Sequence, residues 1–173
     1  MKMNQKHKIQ LKKVTKLDLR ALIEWRNSKD VYPYNTQYFL LNSKIQIEWF
    51  NQLQNDNSKK MFMIMVDKIK IGICGLIDID YENKNAKIAI IIGEKAFHEK
   101  GIGTMVISHL LKYGFEKLKL HKINSEVIEY NEKSIHLFEK SQFKLDATYR
   151  DVIWRENRWW NMLSMSIFKK DFS

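Results

Sequence analysis

Ile88 to Leu118 reads IAIIIGEKAFHEKGIGTMVISHLLKYGFEKL, and the reading of the whole chain turns on it. The isoleucine-rich run Ile88-Ala89-Ile90-Ile91-Ile92 has the unbroken apolar character of a buried strand. A polar loop follows, with Gly101 and Gly103 at its end. Beyond it Ile102, Met105, Val106, Leu110 and Tyr113 recur at helical spacing. Strand, glycine-bearing loop and helix together suit an anion. The first-turn N–H groups have no intrahelical acceptor, and the helix dipole adds positive potential at the same end. Glycine lets an anion approach the main chain with no Cβ in the way. The loop is not a dinucleotide fingerprint, because Val106 stands where a third glycine is required. It also lacks the Lys-Ser/Thr of a P-loop.

Outward from this stretch, the chain alternates strands and amphipathic helices. Lys8–Val14 suits a strand. Thr15-x-x-Asp18 caps a helix whose apolar face is Leu17, Leu19, Leu22, Ile23 and Trp25. The one proline, Pro33, sits in an aromatic loop, and Asn42 or Ser43 caps a second helix to about Asn55. Met61–Val66 and Ile69–Asp78 form a hairpin around Asp67-Lys68. After the central stretch come a strand over His121–Glu129, a helix over Glu132–Ser141, and a hairpin of Phe143–Trp154 with Trp159–Phe168. The strand–helix–strand unit over 88–129 predicts a right-handed parallel crossover, and the hairpins make the rest of the sheet antiparallel. The expected fold class is therefore α/β, a mixed, mostly antiparallel sheet of six to seven strands with about four helices, in a single domain over 1–173.

Composition excludes several classes. At 45% hydrophobic and 12% aromatic, the chain is too apolar to be disordered. No apolar run approaches the ~20 residues of a spanning helix, so no membrane partner is expected. The basic N-terminus has no apolar core, so no secretory signal is expected and a cytoplasmic location is the default. Cys74 is alone, so no intrachain disulfide can form. His7, His109, His121 and His136 are scattered without metal-ligand spacing, and no metal is expected. The formal net charge of +10 suits nucleic acid or an anionic small molecule, and its scattered lysines fit a solvated surface first. Nucleic acid is the less favoured partner.

Two blocks, in order and at the right separation, resemble the Gcn5-related N-acetyltransferase (GNAT) superfamily over roughly residues 8–170. The first is His98-Glu99-Lys100-Gly101-Ile102-Gly103, then Thr104, against a family pattern of Gln/Arg-x-x-Gly-x-Gly/Ala. The second is Asn131-Glu132-Lys133-Ser134-Ile135-His136-Leu137-Phe138-Glu139-Lys140, then Ser141-Gln142-Phe143. Here the family has Asn-x-x-Ala/Ser-x-x-x-Tyr-x-Lys-x-Gly-Phe. His98, Phe138 and Gln142 depart from the pattern. The resemblance implies a central parallel pair that splays, with acetyl-CoA as cosubstrate in the split. It assigns His98 through Thr104 to the pyrophosphate, and Asn131, Ser134 and Phe138 to the pantetheine side.

Acetyl transfer to an amine needs a neutral nucleophile, although a free aliphatic ammonium has a pKa near ~10. Glu126 is the first base candidate: strand alternation puts Asn124, Glu126 and Ile128 on one face, where apolar neighbours would desolvate a lone carboxylate. An edge-facing surface charge is the other reading. Glu129, nearer the strand end, could act through a water; Asp78 and Asp80, expected on one face, rank below. Phe138 replaces a hydroxyl that often donates a proton, so Ser134, Ser141 or Tyr130 serves instead, or the thiolate leaves unassisted.

For the acceptor, Trp25-Arg26-Asn27 and Tyr32-Pro33-Tyr34 combine a guanidinium with flat aromatic faces. Arg26, Asn27, Tyr34 and Asp78 are the expected acceptor residues. Glu24-Trp25-Arg26-Asn27 and the Ser125-Glu126-Val127 strand resemble the family branch that acetylates UDP-linked 4-amino sugars for surface glycans and nonulosonic acids. Acetylation of ribosomal-protein N-termini or of polyamines is the alternative, and a CoA- or nucleic-acid-binding domain without chemistry is the non-enzyme alternative. Arg150, Arg155 and Arg158 interleave with Trp154, Trp159 and Trp160, as a ligand platform or a homodimer surface.

Overall fold

A computed structural model describes residues 8–172; the N-terminal residues 1–7, on which the expectation about targeting rests, and Ser173 lie outside it. The chain runs β1 (Ile9–Lys13), α1 (Leu19–Asn27), α2 (Ser43–Asn55), β2 (Lys60–Val66), β3 (Ile69–Asp80), β4 (Asn85–Ile92), α3 (Ile102–Lys112), β5 (Lys122–Ile128), α4 (Glu132–Lys140), β6 (Lys144–Arg155) and β7 (Arg158–Phe168). One seven-stranded sheet has the order β1-β2-β3-β4-β5-β7-β6, antiparallel throughout except for the parallel pair β4–β5. The expected mixed sheet, hairpins and crossover are all present. None of the helices among the described residues is long and apolar enough to cross a membrane.

Local chemistry explains the connections. The β2–β3 turn holds Asp67 and Lys68 at φ +48° and +73°, and the β6–β7 turn holds Glu156 and Asn157 at +52° and +58°. Positive φ at both central residues is the two-residue hairpin geometry whose twist matches the flanking strands. Each face of the sheet carries its own core. Ile88 of β4 packs with Val106, Ile107 and Leu110 of α3, and Ile123 and Val127 of β5 join them. On the other face Leu19, Leu22 and Trp25 of α1 meet Phe50 of α2, Met63 and Ile73. Ile90 and Ile92 belong to the first core and Ile91 to the second, as strand alternation requires.

The start of α1 departs from expectation. Lys16–Asp18 forms a short 3-10 turn before the helix, which leaves Leu17 87% exposed rather than on the buried face. Asp18, itself buried, accepts from the Thr15 N–H at 2.7 Å and hydroxyl at 2.8 Å, and pairs with Lys70. Burial alone would push its carboxyl up; the hydrogen bonds from Lys70 and Thr15 outweigh that and hold it below the ordinary value. A depressed folded-state pKa contributes stability that is present above the unfolded value, near ~4, and lost as pH falls through the folded one. Asp18→Asn should cost ~1 kcal/mol at neutral pH and flatten the acid limb of stability against pH, followed by urea denaturation between pH 7 and 3.

Candidate active site

The parallel pair is joined over Asn85–Lys87 and Lys122–Asn124 alone. Beyond that point Ile88–Ile92 keeps its antiparallel partner β3, and Ser125–Ile128 keeps β7, but the two strands no longer pair with each other. One wall of the resulting slot is the β5-facing main chain of β4, whose N–H and C=O groups lack a strand partner.

At the open end of the slot the loop after β4 is tied back firmly. The Gly93 and Glu94 N–H groups both donate to the Ile71 carbonyl, at 2.8 and 3.1 Å, and the Trp25 indole donates to Glu94 at 2.8 Å. The His98 ring lies 2.8 Å from the Ile92 carbonyl, so that nitrogen serves the loop's own main chain. Lys100 sits over the Phe97 ring, and the exposed Glu99 carboxylate is 3.5 Å from Lys133 in the first turn of α4. The two glycines have different jobs. Gly101 caps α3 at φ +73°, and a Cβ there would point into open space. Gly103 is buried, and a Cβ there would lie 3.0 Å from Leu137 of α4. Gly101 therefore leaves room on the ligand side, whereas Gly103 allows α3 and α4 to approach. Ile102 is buried beneath the turn, and Thr104 is half-buried beside it.

Asn131 caps α4 by accepting from the Ser134 N–H at 3.2 Å, so its side chain serves the helix end that flanks the slot. Phe138 is 5% exposed and tilts against Phe143 in the first core. Gln142, where the family pattern has glycine, takes φ +68°. The backbone keeps the left-handed conformation without glycine, at a cost of about 1 kcal/mol.

Glu126 does reach the sheet face opposite α3 and α4, but it is not isolated among apolar side chains. Its carboxylate is 3.0 Å from Lys87 Nζ, which also lies 3.4 Å from Asp78. The hydrogen bond to Glu126 is the main cause that holds the Lys87 ammonium above its ordinary value. Lys87 stands opposite Asn124 in the last parallel pair before the strands part, so the cluster marks the inner end of the slot. Sequence reasoning missed Lys87; the available signal was a lysine within an isoleucine strand. Glu129 has both oxygens occupied by Asn161, at 2.8 Å from its N–H and 2.9 Å from its amide. Asp78 and Asp80 do not share a face: Asp78 sits at φ +50° in a bulge, and Asp80 accepts twice from Asn83 in the turn.

The expected acceptor residues build a loop rather than project freely. Arg26 donates to the Gln37 carbonyl at 2.7 Å, and burial pushes its pKa down. Asn27 grips Leu41 from both sides, donating to its carbonyl at 2.7 Å and accepting from its N–H at 2.8 Å. Tyr34 is exposed and tilts toward Tyr130. The Tyr130 hydroxyl donates to Pro33 O at 2.6 Å, and the Ser141 hydroxyl to Leu137 O at 2.8 Å, so both protons are already engaged. The arrangement combines an open helix end at Gly101 with an unpaired main-chain edge along β4, features that suit an anion and an amide-bearing chain respectively.

The acetyltransferase (GNAT) domain family matches residues 8–144. The spermidine N(1)-acetyltransferase of Escherichia coli K12 is 25% identical over 96% of this chain and 89% of its own length. The acetyltransferase PseH of Campylobacter jejuni 81-176 is 26% identical over 79% of this chain and 85% of its own. Among solved structures, spermidine N-acetyltransferase from Vibrio cholerae in complex with CoA and spermine superposes with a TM-score of 0.87 at 26% identity, covering 95% of this chain and 97% of that one. The first-turn N–H groups at Gly101 and the unpaired β4 main chain suit the phosphates and amides of CoA. The chain belongs to the GNAT acetyltransferase family, and it is an acetyl-CoA-dependent N-acetyltransferase.

Proposed function

We propose that the acceptor is a primary amine on an anionic carrier, first a UDP-linked 4-amino sugar, in a surface-glycan or nonulosonic-acid pathway. One observation carries this reading. Two guanidiniums, Arg26 and Arg155, converge on the carbonyls of Asn35–Gln37, and neither has a carboxylate within ion-pair distance among the described residues. The single carboxylate of the 28–42 loop, Asp30, lies 3.7 Å from Lys95. Exposed Tyr34, Tyr38 and Phe39 add flat faces for a base or sugar ring. The donors seen on both guanidiniums are spent on carbonyls, so what they offer a diphosphate is positive potential across the loop, which disfavours a polycation. Likeness to PseH supports this reading, and likeness to spermidine acetyltransferases supports the polyamine alternative.

Acetyl-CoA supplies an activated thioester; this chain supplies orientation and a proton acceptor. Glu126 takes the proton from the acceptor ammonium, with Lys87 fixing the carboxylate's direction; Glu129 is second choice. The C–N bond then forms as the C–S bond breaks, the second proton on that nitrogen passing to solvent and the sulfur keeping the electron pair of the broken bond. Phe138 offers no proton, so the thiolate leaves unassisted. The exposed Trp154 and Trp159 of the last hairpin suit contact with a second copy of the chain. The test is a thiol-release screen with acetyl-CoA against UDP-4-amino sugars, spermidine and N-terminal peptides. The sugar nucleotide should give the highest kcat/KM. Faster turnover of spermidine would overturn the acceptor assignment and leave the enzyme class intact.

A further inference from the structure

Arg155 is the most heavily engaged side chain on the acceptor side. It lies at the end of β6, 6% exposed. One guanidinium nitrogen donates to Pro33 O at 2.9 Å and to the Tyr130 hydroxyl at 2.6 Å. The other donates to Thr36 O at 3.2 Å and to Asn35 O. Tyr38 lies against the guanidinium, 4.1 Å from its ring centroid, and Tyr32 stacks on Tyr38. Tyr130 completes the link: its hydroxyl donates to the same Pro33 carbonyl, and its ring meets Trp160 edge-on. Tyr130 directly precedes Asn131, the cap of α4, so one cation joins the loop after α1, the end of the last hairpin and the helix flanking the cofactor slot.

A buried guanidinium is costly unless its donors are filled, and here they are filled by main-chain carbonyls of one loop. Those carbonyls are Pro33, Asn35 and Thr36, on a stretch with no helix or strand of its own beyond the short turn Tyr32–Tyr34. Without the fork, the Asn35 and Thr36 carbonyls would lose their fixed partner, and Pro33 O and the Tyr130 hydroxyl would keep only each other. Lysine is no substitute, because a single ammonium cannot hold four acceptors on two planar edges.

We infer that Arg155 is a positioning residue for the acceptor: its fork fixes residues 33–36 against Tyr130 and so sets the shape of the acceptor side of the slot. The inference rests on the reading that this loop receives the acceptor, but not on which amine is accepted. It is tested with whichever amine the wild-type enzyme turns over fastest, varying both substrates, in Arg155→Lys, Arg155→Met and Tyr130→Phe. Both arginine variants should raise KM for the amine roughly tenfold or more, the loss of a charge-assisted fork. KM for acetyl-CoA should stay within about twofold, since no cofactor contact is removed. Tyr130→Phe, which deletes one hydroxyl, should move the amine KM in the same direction by less. Recovery of the wild-type amine KM in Arg155→Lys would mean that charge alone acts, and would overturn the inference. Equal rises in both KM values would do the same, by making Arg155 general scaffold. Should Arg155→Met not fold, Tyr130→Phe decides: an unchanged amine KM there overturns the proposal. A win for spermidine in the acceptor screen would sink the sugar-nucleotide reading while leaving this ratio measurable.

Discussion

Gly101→Val is expected to abolish the rise in melting temperature that acetyl-CoA gives the wild-type protein. A ligand that binds only the folded chain stabilises it by RT ln(1 + [L]/Kd), so the wild-type shift should be several degrees at about a hundredfold excess over Kd. Gly101 sits at φ +73° and its absent Cβ faces open space at the head of α3. Valine there puts two methyl groups where an anion must come close to the first-turn N–H groups. It also strains the turn by about 1–2 kcal/mol, so the free protein should melt a few degrees lower. Gly103→Ala is the contrasting variant: its Cβ crowds the Leu137 methyls while gaining helix propensity, so the free protein's melting temperature should move little and the ligand-induced shift should be retained. A full acetyl-CoA shift in Gly101→Val would show that phosphate is held elsewhere.

Glu126→Gln should lower kcat by ~10²–10³ and change KM for acetyl-CoA little, as loss of a general base does. The substitution keeps size and hydrogen bonding. Its complication is Lys87, 3.0 Å away, which loses one of its two carboxylate partners and keeps Asp78. Lys87→Met separates the two effects. If Lys87 only orients Glu126, Lys87→Met should cost roughly tenfold in kcat and leave Glu126→Gln the larger loss. If Lys87→Met is the more damaging, the lysine itself meets the substrates. Normal turnover in Glu126→Gln would remove Glu126 from the reaction and turn attention to Glu129, whose clamp by Asn161 would then be a device for aiming it.

Much of the fold was written in periodicity. The run Ile88–Ile92 alternates between the two cores residue by residue, and the crossover after it left little freedom in topology. Gly101 and Asn131 were legible because each meets a requirement of a helix end that few residues can satisfy, whereas Gly103, expected in the anion loop, packs against Leu137 instead. Side-chain partners were not legible, because they come from residues far apart in sequence. Neighbouring strands bring Lys87 to Glu126 and Asn161 to Glu129, and the packing of the 28–42 loop on the last hairpin brings Pro33 to Arg155. Bulges were the other blind spot. Alternation put Asp78 and Asp80 on one face, and a single residue at φ +50° separates them. Leu17 failed for a similar reason: one 3-10 turn rotates it away from the face that the 3.6-residue period assigns.

In chain order, residues 9–92 supply a complete antiparallel meander, each strand beside its sequence neighbour, ahead of β5. The later strands, 122–168, likewise pair only among themselves, apart from the three-residue join to β4. If that meander forms before the rest of the sheet, it carries a bare edge at Asn85–Ile92 until α3 and β5 dock, a long isoleucine-rich strand of the kind other chains can pair with. Finishing the fold closes only the first three residues of that edge. The rest stays unpaired as the wall of the slot, so the edge that the finished fold leaves open is also the one most in need of cover before the fold is complete.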